Sequence, residues 1–216
     1  MVLEIENFKG KFAETFVLPI EDKKILAVGL GKKADYSTGK IREIAAKTIK
    51  TVEKLSKTSS VAFNIQRTES ECCRTLGCNV ALGVIIGAYD FDKYKSKKNE
   101  NKIAKVEILT NTPEILTPAI EKAQATGEAM SFTKDLIFEP AEYATPTRIS
   151  EIAKDLAKEN NLKVEVFSRD ELKKMNFNAF LAVGQGSTQE PKFIHLKYIP
   201  ENPKKKIAII GKGIPF

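Results

Sequence analysis

At 216 residues, 42% hydrophobic and 29% charged, the chain can bury a real core as one large domain or two small ones, and its composition is ordinary for a globular protein. No run approaches the roughly 18 apolar residues that a membrane helix needs, and the opening MVLEIENFKG carries two acidic residues where a signal peptide has its apolar core; both point to the cytoplasm. The net charge of +7 would suit a polyanion, but the lysines concentrate in residues 92–105 and 203–206, and neither run interleaves aromatics as a single-strand binding surface does. These runs read as solvated loops, and nucleic acid is not the favoured partner.

In chain order, ETFVLP (14–19) and KILAVGL (24–30) are expected strands. From Thr38 to Leu55 the spacing turns helical: Ile41, Ile44, Ala45, Ile49, Val52 and Leu55 share one face, with Ser37 or Thr38 available as the cap. A strand at Val61–Ile65, a helix from about Glu69 to Ala88 and a strand at KVEILT (105–110) follow. Strand and helix alternate, as in an α/β domain. Thr112-Pro113 opens a long helix reaching about Leu136, long enough to bridge two units. Thr145-Pro146 then starts an amphipathic helix with Ile149, Ile152, Ala153, Leu156 and Ala157 on one stripe. KVEVF (163–167) is a strand, and Ser168 to Glu171 spells a capping box for a short helix. FLAV (180–183), the turn from Gly184 to Ser187, the strand KFIHLKYI (192–199) and IAII (207–210) complete the order. IAII has no polar alternation, so it is expected as a central parallel strand covered on both faces.

Few residues carry chemistry. Cys72, Cys73 and Cys78 are an odd number without C-x-x-C spacing and read as reduced, partly buried thiols. Gly29-Leu30-Gly31-Lys32 lacks the spacing of a phosphate loop and has no Ser or Thr after its lysine. Gly184-Gln185-Gly186 is followed by a strand, not by the helix N-terminus that phosphate requires. Both are tight turns. His195 is a strand residue facing a polar layer, and Asp90-Phe91-Asp92 is a solvated turn. Lys212 stands two residues beyond a strand end, between Gly211 and Gly213, where α/β sheets bind ligands. On spacing alone an ordinary exposed lysine remains the simpler account of it.

Several stretches taken together resemble the leucyl (cytosol) aminopeptidases: LAVGLGKK (26–33), GVIIGAYDFDKYKS (83–96), Thr145-Pro146, LAVGQGS (181–187), the Pro191–Tyr198 strand and the ending GKGIPF, similar to the family's GKG-x-T-F-D. The resemblance covers essentially the whole chain. It implies a macro-like N-terminal domain with a mixed sheet flanked by helices (1–111), a bridging helix (112–137) and the N-terminal part of a metallopeptidase catalytic domain (138–216). It further implies removal of N-terminal residues from peptides, preferentially leucine, by two divalent cations (Zn or Mn) in a homo-oligomer, a hexamer in the family. Lys212 would be a ligand of one cation. In this resemblance the remaining ligands follow Phe216, so these residues alone are expected to bind no cation and to be inactive. Phe138, Glu142, Asn178 and Pro215 depart from the family pattern. The alternative is a non-catalytic macro-type module binding a nucleotide or nucleic acid, or a regulatory subunit. With IAII lacking later neighbours, the segment 140–216 is expected to be marginally stable or to associate, while residues 1 to about 110 fold alone.

Overall fold

Helix α1 (Thr38–Lys54) forms as its sequence dictates. The Ser37 hydroxyl accepts from the Lys40 N–H at 3.3 Å, which settles the cap on Ser37, and Ile41, Ile44, Ala45, Thr48, Ile49 and Val52 are buried along one stripe. The computed structural model describes residues 7–20, 23–55, 60–64, 73–98 and 103–213, apart from the side chains of Lys23 and Cys73. Ile65, the expected helix start at Glu69, Cys72, Pro215 and Phe216 lie outside the described residues. The chain divides into two compact units, Met1–Asp135 and Leu136–Phe216.

In the first unit, β1 (Thr15–Ile20) and β2 (Lys23–Val28) form an antiparallel hairpin, with Thr15 opposite Val28. β3 (Ser60–Asn64) pairs in parallel with β4 (Lys105–Leu109) across the intervening helix α2 (Cys73–Ala88). This is the βαβ connection that parallel strands require. α2 is the centre of the unit. Its Leu76 and Val80 pack with Ile41 and Ala45 of α1, against Phe63 and Ile108 of the strands. Its Ala81 and Leu82 pack with Ala123 of α3 (Pro113–Phe138).

Glycines let these helices approach closely. A Cβ at Gly83 would collide with the Arg42 carbonyl oxygen and one at Gly87 with that of Ala46, so the α1 and α2 backbones touch at two successive turns. Gly127 of α3 likewise leaves room for Ile85. The paired glycines of GVIIGA are therefore packing residues. Arg42 adds a polar tie across the same contact, donating through Nε and Nη2 to Asn79 Oδ1 at 3.2 and 3.0 Å.

The second unit holds α4 (Pro146–Glu159), β5 (Lys163–Phe167), α5 (Arg169–Lys174), α6 (Asn178–Val183) and β6 (Phe193–Lys197). Thr145 caps α4 by accepting the Arg148 N–H at 3.2 Å, and Pro146 occupies the first turn. Ser168 opens α5, giving its backbone N–H to Glu171 at 2.8 Å. α4 and α5 both close on an asparagine in the left-handed region, Asn161 (φ 52°) and Asn176 (φ 58°). The next amide in each case bonds back five residues in the manner of a Schellman turn, Leu162 to Ala157 (2.9 Å) and Phe177 to Leu172 (3.0 Å). β5 and β6 pair antiparallel, Phe167 facing Phe193. Phe193 sits among Phe167, Phe177 and Phe180 with ring centroids 5.9, 5.5 and 5.9 Å away. Leu172, Leu181, Ala153 and Ala157 complete the small core.

One segment left without an element type gains one here, and one expectation is corrected. FLAV (180–183) lies in helix α6, where Leu181 alone of the four is buried. IAII (207–210) is not a strand: it is irregular, with Ile207, Ile209 and Ile210 exposed at 85%, 95% and 94%. An extended segment becomes a strand only by hydrogen bonding to a neighbour, and β5 and β6 pair with one another. Apolar composition alone does not supply that neighbour.

Candidate functional site

Lys212 lies in the irregular stretch 203–213, whose residues are all exposed. Its flanking Gly211 and Gly213 have open space where a Cβ would be. Among the described residues no group of three or more His, Cys, Asp or Glu side chains is placed to hold a metal ion. A lysine is also a poor ligand on its own, since its amine must first lose a proton that it ordinarily keeps up to a pH of about 10. The donor set among the described residues thus does not fit a two-cation site.

The other sequence candidates form turns and ion pairs. At Gly29–Lys32 the backbone is used internally: the Gly29 N–H donates to the Glu14 carbonyl (2.8 Å), and the Gly31 N–H, at φ 79°, donates to that of Gly10 (3.0 Å). The Glu14 carboxylate takes the Lys11 and Lys9 N–H groups at 2.8 and 3.2 Å. These two backbone bonds, Lys11 first, hold its pKa below the ordinary value. The Gly29 and Gly31 amides are thus spent within the fold and are not offered to a phosphate. Gly184 ends α6, its N–H donating to the Leu181 carbonyl at 3.2 Å, and Ser187 bonds back to Gly184 at 3.3 Å. Asp90 pairs with Lys95 at 3.3 Å. Cys78 packs beside the Ala81–Leu82–Ala123 cluster.

His195 does face a polar layer. Its Nδ1 lies 3.1 Å from Glu165 Oε2, and the same oxygen takes the Lys197 ammonium at 2.7 Å. That ammonium, more than the histidine, lowers the Glu165 pKa. Sequence reasoning did not find this trio, because the signal is the β5–β6 register that sets Glu165 opposite His195. Of the departures, Phe138 ends α3, Glu142 is exposed in the following turn and Asn178 begins α6, exposed. The structure gives no reason for the residue types at these three positions.

Two family models match the chain in order. Residues 1–98 match the N-terminal domain of the cytosol aminopeptidase family, and residues 131–216 match its catalytic domain. The chain belongs to the cytosol aminopeptidase family. Curated relatives agree: the probable cytosol aminopeptidases of Persephonella marina and Aquifex aeolicus are 34% and 35% identical over 98% and 100% of this chain. The chain spans 44% of the length of each of these relatives.

Solved structures share the α/β fold. A tomato leucine aminopeptidase mutant superposes with a TM-score of 0.83 at 23% identity, covering 93% of this chain and 41% of that one. The bottromycin maturation enzyme BotP in complex with Mn gives 0.79 at 24% identity, covering 91% and 41%. No helix among the described residues is long and apolar enough to cross a membrane.

Proposed function

We propose that the protein is a cytoplasmic metallo-aminopeptidase that removes N-terminal residues, with leucine preferred, from peptides, and that Lys212 donates to one of two divalent cations, Zn or Mn, in a homo-oligomeric enzyme. The observation that carries this reading is the ordered pair of family matches, N-terminal domain then catalytic domain. The similarity to probable cytosol aminopeptidases supports peptide hydrolysis, and the Mn complex of BotP supports a divalent cation. The lysine at the centre of GKG is the residue of this chain at the position that the resemblance assigns to a ligand. A companion proposal is that residues 1–216 alone neither hold the cations nor hydrolyse peptides, since Lys212 is the one residue among them that the resemblance assigns to the ligand set.

Hydrolysis of leucine amide with Mn or Zn is the test, run on the longest polypeptide that the gene encodes and on residues 1–216. Activity in a longer chain, falling at least 100-fold on Lys212→Ala, is the expected result. A longer, metal-loaded chain without hydrolysis overturns the aminopeptidase reading. Metal-dependent turnover by residues 1–216 overturns the inactivity of this segment.

A further inference from the structure

The glycines of GVIIGAYDF serve the α1–α2 contact, but Tyr89 of the same stretch faces the other way, toward α3. Helix α3 is held to the first unit by a buried stripe, Leu116, Ala119, Ala123 and Gly127, with Met130 packed against the same cluster. From Ser131 to Phe138 no residue is buried, so the hydrophobic anchoring of the helix stops two turns before the helix does. Tyr89 meets it there. Its hydroxyl donates to Asp135 Oδ1 at 2.8 Å, and the Lys134 ammonium lies 4.6 Å from its ring centroid. From α1, the Lys50 ammonium reaches the Tyr89 carbonyl at 3.4 Å.

We infer that Tyr89 is a latch that holds residues 131–135 of α3 against the rest of the first unit, joining a residue of the N-terminal family match to Lys134 and Asp135 of the catalytic-domain match. Phenol and carboxylate form a charge-assisted bond. Partial burial of the phenol, together with the Asp135 carboxylate, raises its pKa to about 12, so the donor proton stays in place across the physiological range. Release of the latch would free the turns by which the chain leaves the first unit while the Leu116–Met130 stripe stays docked.

Hydrogen exchange on the full 216-residue chain tests this. In Tyr89→Phe, which keeps the ring beneath Lys134 and removes the donor, amides 131–135 are expected to exchange about five-fold faster, the equivalent of a hydrogen bond of about 1 kcal/mol. Amides 116–127 keep their rates. Asp135→Ala, a change at an exposed position, is expected to reproduce the effect from the acceptor side. Rates like the parent's in either variant, or faster exchange spread evenly through the first unit, would overturn the latch.

Discussion

Helices α1 and α4 are built by the same local rules and end in different surroundings. Each starts on a hydroxyl cap, Ser37 or Thr145, and each carries an apolar stripe. The α1 stripe meets α2 and buries four branched residues, Ile41, Ile44, Ile49 and Val52. The α4 stripe buries only Ser150, Ala153 and Ala157. The contrast extends to whole units. The first encloses its core between helices whose backbones touch, whereas the second leaves Tyr198, Ile199, Ile207, Ile209 and Ile210 more than half exposed. Capping and periodicity decide that a helix forms; how much it stabilises depends on what faces its stripe.

The sharpest way to break this comparison is to hollow each core in turn. Ile49 and Leu172 are both 0% exposed, and truncation to Ala costs about 3 kcal/mol in each case, with the usual spread of core deletions. Amide exchange read unit by unit should rise only in the first unit for Ile49→Ala and only in the second for Leu172→Ala. If either substitution loosens both equally, the division at Asp135 has no energetic meaning. A smaller and matched change deletes the caps. Ser37→Ala and Thr145→Ala each remove one amide acceptor, costing about 1 kcal/mol, and thermal denaturation should show the larger proportional loss in the second unit, where less burial compensates.

Most elements were legible because their signals are local. Ser37, Thr145 and the Ser168–Glu171 box mark helix starts through bonds three residues long, and the structure makes all three. The three strand pairs form from runs that the alternation of strand and helix had already located. What was not legible depends on partners distant in sequence. IAII carries every compositional mark of a buried strand, and composition is silent about which edge it would join. FLAV is too short for its period to separate helix from strand; in the structure it lies in α6, with Leu181 buried. The Glu165–His195–Lys197 trio needed a register, and the Tyr89–Asp135 bond a separation of 46 residues. For the proposed site, the sequence offers Lys212 and the structure leaves it in an exposed irregular stretch.

The smallest effect compares the two units through acid. Glu14 in the first unit is held below the ordinary value of 4.5 chiefly by the Lys11 amide, and Glu171 in the second chiefly by the Ser168 hydroxyl and then its amide. A depressed carboxylate contributes stability that is fully present above its unfolded pKa and is lost as pH falls through the folded one. Both contributions should therefore hold at neutral pH and fade below about pH 4.5. Glu14→Gln and Glu171→Gln should each flatten the acid limb of its own unit. An unchanged limb in either variant would show that other groups govern acid stability there.

The bare contact of α1 with α2 has a mechanical corollary. Where side chains separate two helices, one can slip along the other by a turn and settle into new grooves. With the carbonyls of Arg42 and Ala46 seated directly on Gly83 and Gly87, a shift of one turn would leave a glycine against only one of these oxygens and would set Asn79 against the other or run α2 past its end. The pair is keyed like a bolt in a slot, so any motion this region undergoes must carry the two rods together.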